Sequence, residues 1–180
     1  MPLNLWGNYQ GLLGGRKVLN PTSLLGCVGL TTGNYGVTST AWTLANVAIF
    51  QPTYLETDAW CRQLYVGNGA TVSGNIDVGL YTMDGVKITS AGSTAQAGTS
   101  ALQIFNVADI YLAAGWYYLA VALDNTTGTV LCTTTWTAAF GQLVGMAEMT
   151  AAFALPAQAT LASYTRTLQP RVGLVGDAVL

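Results

Sequence analysis

Eight carboxylates, Glu56, Asp58, Asp77, Asp84, Asp109, Asp124, Glu148 and Asp177, carry the main chemical potential of this chain, because it contains no histidine. Without histidine there are no Ser-His or Cys-His nucleophile pairs, no histidine metal cluster and none of the commonest general acid or base. A glycosidase would need two of the carboxylates facing each other across one cleft, about 5 to 10 Å apart. Several of them fall instead where turns are expected, and there a short acidic side chain is favoured because it hydrogen-bonds the adjacent backbone. A calcium site using Asp84 or Asp124 with turn carbonyls would suit a β-sandwich, but no acidic loop has the EF-hand pattern. Cys27, Cys61 and Cys132 are widely separated, odd in number and without a Cys-x-x-Cys pair. They read as buried reduced thiols, not as a zinc site or a disulfide framework. Gly14-Gly15 is isolated and follows no strand, so there is no phosphate loop. The expectation is a non-enzymatic chain with no cofactor and no metal.

Aromatic side chains are the other chemically useful group. Tyr35, Trp42, Tyr54, Trp60, Trp116, Tyr117, Tyr118 and Trp136 include candidates for stacking on a sugar ring, with Trp60, Trp116 and Trp136 the strongest. Core or interface packing is the simpler use of such residues. Because alternate residues of a strand point to opposite faces, Trp116-Tyr117-Tyr118 cannot all enter one core.

The elements that would position these groups are strands. Asn75-Ile76-Asp77-Val78-Gly79-Leu80-Tyr81 puts Ile76, Val78 and Leu80 on one face and Asp77, Gly79 and Tyr81 on the other, the period of a half-buried strand. Asp84-Gly85 follows and reads as a type I′ hairpin turn. Leu102-Gln103-Ile104-Phe105-Asn106-Val107 continues after a small-residue loop. The run Trp116-Tyr117-Tyr118-Leu119-Ala120-Val121-Ala122-Leu123 is apolar on both faces, as an inner strand covered on both sides would be. Further strands are expected at 38–43, 47–51, 60–66 and 129–136, with Pro52 confining the second of these to an edge or an end. Pro170-Arg171-Val172-Gly173-Leu174-Val175 reads as the last strand, closing the sheet against an early one. Residues 139–154 fit either strand-loop-strand or a short helix, since Ala and Met favour helix while Gly141 and Gly145 oppose it. Spacings near ten residues leave no room for βαβ crossovers. The class is therefore all-β.

Asp77-Val78-Gly79-Leu80-Tyr81, Asp84-Gly85, the loop ending at Ser100 and Gly115-Trp116-Tyr117-Tyr118-Leu119-Ala120 together resemble the jelly-roll modules of tailed-bacteriophage virion proteins. The resemblance covers about a third of the chain, and the same pattern resembles carbohydrate-binding β-sandwiches of secreted enzymes. It implies a jelly-roll-like antiparallel sandwich of about eight strands. It also implies a virion structural protein, either a capsid decoration or head-fibre protein or a tail-associated one, assembled in the host cytoplasm. Its partners would be other virion proteins and further copies of itself, as a trimer in fibre and decoration modules. The alternative is a receptor-binding module for bacterial surface glycan.

Composition sharpens the assembly expectation. Charged residues make up 8% of the 180 residues and the net charge is −2, against roughly 25% charged in ordinary soluble proteins, and mean hydropathy is +0.41. A lone copy with so little charge is poorly protected against association, so part of the surface is expected to lie under neighbours. Six dispersed basic residues give no nucleic-acid footprint. The uncharged stretches 18–55 and 125–147 are interrupted by Gly, Thr and Asn, so no membrane insertion is expected. The start of the chain lacks a basic segment followed by an apolar one, which argues against a secretory signal.

Residues 1–34 are punctuated by glycine and read as an extended N-terminal arm ahead of a sandwich domain at 35–180. Leu3, Leu5, Trp6, Tyr9, Leu12 and Leu13 make the arm too apolar for a solvated linker. Either it anchors on a neighbour or it folds back over its own sandwich as an early strand.

Overall fold

The computed structural model describes residues 17–21, 37–133 and 137–178. Leu3, Leu5, Trp6, Tyr9, Leu12, Leu13, Cys27, Tyr35 and Trp136 lie outside them. The strands are β1 (Lys17–Pro21), β2 (Val37–Ala41), β3 (Ala48–Leu55), β4 (Ala59–Gly67), β5 (Asn75–Thr82), β6 (Lys87–Ser90) and β7 (Thr94–Ala95). They continue with β8 (Leu102–Leu112), β9 (Gly115–Leu123), β10 (Thr129–Thr133), β11 (Ala147–Met149), β12 (Ala162–Ser163), β13 (Gln169–Pro170) and β14 (Val172–Ala178), and a short helix, α1 (Ala138–Leu143), precedes β11. All pairings are antiparallel. Among the described residues no helix is long and apolar enough to cross a membrane.

The winding follows from which strands pair. Of the eight principal strands in chain order, β1, β3, β4, β5, β6, β8, β9 and β14, the first pairs with the last, the second with the seventh, the third with the sixth and the fourth with the fifth. That is one long antiparallel ribbon folded at the β5–β6 turn and rolled into two sheets, β1-β14-β4-β8 and β3-β9-β5-β6, which is a jelly roll. The second sheet is extended by β11, β12 and β7, and β13-β10-β2 forms a small third sheet. An isolated bridge, Asn68 to Val130, joins the third sheet to the end of β4. Five residues of the segment read as an arm thus form the outer strand β1, with Lys17 opposite Gly176.

The main core lies between the sheets. Ile76, Val78 and Leu80 from β5 meet Leu119, Val121 and Leu123 from β9 and Leu64, Val66, Phe105, Val172 and Leu174 from the facing sheet. The alternation in β5 therefore identifies the inner face. It does not identify a solvent face, because the other side of this sheet is buried too: Ala48, Phe50, Tyr81, Tyr118, Ala120 and Ala122 pack under Ala152, Leu155 and Ala159. Alanines on the strands leave room for residues 150–161 to lie flat on them, and full burial of Phe50 alone is worth roughly 1.5–3 kcal/mol. Phe50 sits edge-on to Tyr81 and Tyr118, with ring centroids 5.2 and 6.2 Å apart. The covering residues are tied down by Tyr81 O–H to Pro156 O at 2.7 Å, Lys87 Nζ to Leu155 O at 2.7 Å and Leu155 N–H to Asp77 Oδ2 at 3.0 Å. Burial pushes the Asp77 carboxyl above its ordinary range, a shift that the Leu155 N–H and the Lys87 charge partly offset.

Three local expectations are corrected or refined. The β5–β6 turn is not type I′: Gly85 takes φ +79° while Asp84 has no positive φ. Gly85 N–H closes the turn on Thr82 O at 3.0 Å. The loop therefore holds three residues, and its last position is the one that needs glycine. Pro52 lies inside β3, and this is tolerated because β11 pairs only with Ala48, Ile49 and Phe50, leaving Pro52 with β9 on one side. Of the two structures expected for residues 139–154 the short helix forms, as α1, and one strand, β11, follows it in place of strand-loop-strand. Thr137 caps the helix by accepting from Phe140 N–H at 3.1 Å.

Candidate functional site

The register of the two sheets brings two pairs of exposed aromatic rings to one end of the sandwich. On the larger sheet Tyr54 in β3 stands opposite Trp116 in β9, and on the facing sheet Trp60 in β4 stands opposite Tyr111 in β8. Directly opposite residues are the pairs whose side chains touch in an antiparallel sheet. The Tyr54 and Trp116 centroids are 5.1 Å apart with planes inclined at 48°. Those of Trp60 and Tyr111 are 5.6 Å apart and nearly perpendicular, at 71°. All four rings remain open to solvent: Trp60 is 40% exposed, Tyr54 42%, Tyr111 49% and Trp116 53%.

Two connections, residues 56–58 between β3 and β4 and residues 113–114 between β8 and β9, run side by side here and hold the rings in place. Asp58 locks them together. Its carboxylate accepts the Tyr111 O–H through Oδ2 and the Ala114 N–H through Oδ1, the latter at 2.8 Å. These bonds favour the charged carboxylate, so the Asp58 carboxyl is held below its ordinary range, and the Tyr111 hydroxyl is raised by the same contact. Tyr117 adds a second fastening, its O–H donating to Ala113 O at 2.8 Å. Gly115, at φ +152°, starts β9 in a conformation that side-chain-bearing residues rarely adopt.

The expected division of Trp116-Tyr117-Tyr118 is what the fold shows. Trp116 is exposed, Tyr117 leans on the main core, and Tyr118 is buried on the opposite side with its O–H on Gly145 O at 3.0 Å. Trp60 and Trp116 share one end of the molecule but not one face, since their sheets are the two layers of the sandwich. Each has a tyrosine as its stacking partner. Trp42 is buried, and its Nε1–H donates to Val47 O at 3.0 Å. Tyr111 escaped the sequence reading, because β8 is irregular between Asn106 and Ile110 and its alternation breaks before reaching the tyrosine.

Asp58, Asp77, Asp109, Asp124 and Glu148 are dispersed over the fold and each is engaged by a hydrogen bond or ion pair. Glu148 receives Thr165 N–H at 3.0 Å, the Thr165 hydroxyl at 2.9 Å and Arg166 Nε at 3.1 Å. Asp109 pairs with Arg62 at 2.9 Å, and Asp124 receives Asn75 N–H at 3.0 Å and Asn75 Nδ2 at 3.0 Å. Among the described residues no group of three or more His, Cys, Asp or Glu side chains is placed to hold a metal ion. Cys61 and Cys132 are buried and unpaired, and burial pushes the Cys61 thiol up to about 11. Comparison with protein-family models, with curated proteins and with solved structures found no match to this chain.

Proposed function

We propose that this chain is a non-enzymatic structural protein of a tailed-bacteriophage particle, a capsid decoration or head-fibre protein or a tail-associated one, that packs against virion proteins and further copies of itself. The observation that carries the reading is a surface poor in charge that leaves apolar side chains uncovered. Charged residues are 8% of the chain, while Leu102, Ile104, Tyr111, Trp116 and Leu143 are all about half exposed or more. Such surface is stabilised when a neighbour covers it. The residue pattern shared with phage jelly-roll modules supports the particle as the place of assembly. The fold is used for many purposes, so it adds little to that choice. Proteomics of purified particles tests the reading: the chain is expected at stoichiometric abundance, and its presence only in traces would contradict it.

A second reading, recognition of bacterial surface glycan, is favoured by one observation. Trp60 and Trp116 are exposed and each is braced by a tyrosine, which leaves ring surface open for a sugar to stack on. Here a glycan array is expected to give signal that Trp60→Ala or Trp116→Ala abolishes. No signal on the array would exclude glycan binding.

A further inference from the structure

The edges of the sheets are built differently from one another. β12 and β13 have two residues each, β6 has four and begins with Lys87, β2 has five, and β1 ends in Pro21. Short length, lysine and proline are how edge strands are kept from pairing with other chains. β8 has none of these protections: among the described residues it is the outer strand of its sheet, eleven residues long, with no lysine, arginine or proline.

The direction of its backbone groups can be read from its neighbour. Gly67 N–H donates to Arg171 O on the β14 side at 2.8 Å, and Asn68 N–H donates to Ala101 O on the β8 side at 2.9 Å. Successive residues of an antiparallel ladder turn their polar groups to opposite sides. Leu102 lies opposite Gly67 and Gln103 opposite Val66. Gln103 and Phe105 therefore bond toward β4, while Leu102, Ile104 and Asn106 present N–H and C=O to the open side. The side chains of Leu102 and Ile104 are 58% and 52% exposed. The regular half of the strand ends at Asn106, where its pairing with β4 becomes irregular. Residues 102–108 carry no charge, and Asp109 is held by Arg62.

We propose that residues 102–106 pair antiparallel with the same edge of a second copy, about a two-fold axis at Ile104, making one continuous sheet across two molecules. An antiparallel edge is its own complement under a two-fold axis. Uncharged residues meet themselves there without repulsion, Ile104 faces Ile104 of the second copy, and Leu102 faces Asn106. The inference rests on the self-association in the reading above and not on the particle, so failure in particle proteomics would leave it standing.

The test is light scattering of the full chain over about 1 to 100 μM, combined with amide hydrogen exchange resolved by residue. A two-copy mass is expected. The amides of Leu102, Ile104 and Asn106 should exchange more slowly as concentration rises, while those of Gln103 and Phe105 stay slow throughout. Ile104→Lys should restore a one-copy mass and remain folded with an unfolding midpoint that no longer rises with concentration, and Val86→Lys, at another exposed apolar position, should leave two copies. Three results would overturn the proposal. They are a one-copy mass across the whole range, a mass of two or three copies that Ile104→Lys leaves unchanged, and exchange at 102, 104 and 106 that ignores concentration. Should Ile104→Lys fail to fold, exchange in the unmodified chain decides.

Discussion

The two ends of the sandwich are made of different materials. At one end the connections are closed by buried amides: Asn68 Nδ2 donates to Ala97 O at 2.6 Å and to Gln103 Oε1 at 3.0 Å, and Gln96 Nε2 donates to Asn68 Oδ1 at 3.0 Å and to Thr129 O at 2.8 Å. At the other end Tyr54, Trp60, Tyr111 and Trp116 stand half open, and Asp58 ties Tyr111 to the Ala114 backbone between them. Buried amides are stable only when every donor and acceptor is matched, so the first end is rigid and its polar groups are already committed. The ring pairs, one tilted and one edge to face, each leave a surface uncovered, so the second end still has area to offer a partner. One fold thus separates a structural end from a presenting end.

The most damaging way to test this difference is to open the structural end. Asn68→Ala removes a buried residue and strands the amides of Gln96 and Gln103, an expected loss of about 2–3 kcal/mol. For a chain of this size that lowers the thermal midpoint by about 5–10 °C, measurable by calorimetry.

Two carboxylates sharpen the contrast with pH, and their signs are opposite. Asp77 is buried beneath residues 150–161 with its folded pKa raised from 3.8. Over the window from that unfolded value up to the raised folded one, the folded chain holds a proton the unfolded chain has released, so stability is lost as pH rises. Asp77→Asn keeps an acceptor for Leu155 N–H and removes this loss. The variant should gain stability relative to the parent chain as pH is raised from about 4 to about 7 in urea unfolding. Asp58 is only partly buried and its folded pKa is lowered from 3.8. Its contribution is present above the unfolded value and is lost as pH falls through the folded one. Asp58→Asn should therefore show its small loss of stability at neutral pH and converge with the parent chain as pH falls below about 4, so that its acid limb is the flatter of the two.

Much of this arrangement is legible in the residues, and the gaps have physical causes. Alternation in β5 and the two-sided apolar run in β9 identify the inner sheet, because period and burial are both local signals. The cover over the second face is not local. Residues 150–161 have no period of their own, and only their packing on Ala48, Ala120 and Ala122 gives them a role. The presenting end was half visible: Trp60 and Trp116 stand out by type, but their pairing with Tyr111 and Tyr54 depends on strand register, which residue type does not reveal. The β8 edge was hidden for the same reason, since which strand lies outermost is a property of the winding.

Equilibrium urea unfolding of Trp60→Ala combined with Trp116→Ala, beside Asn68→Ala, tests most directly the division into a structural and a presenting end. Each exposed ring pair contributes about 0.5–1.5 kcal/mol, so the double tryptophan variant should remain folded, with a loss no larger than the single asparagine substitution causes. A tryptophan variant that unfolds, or that loses more stability than Asn68→Ala, would show that the aromatic end is core and not a surface held ready for a partner.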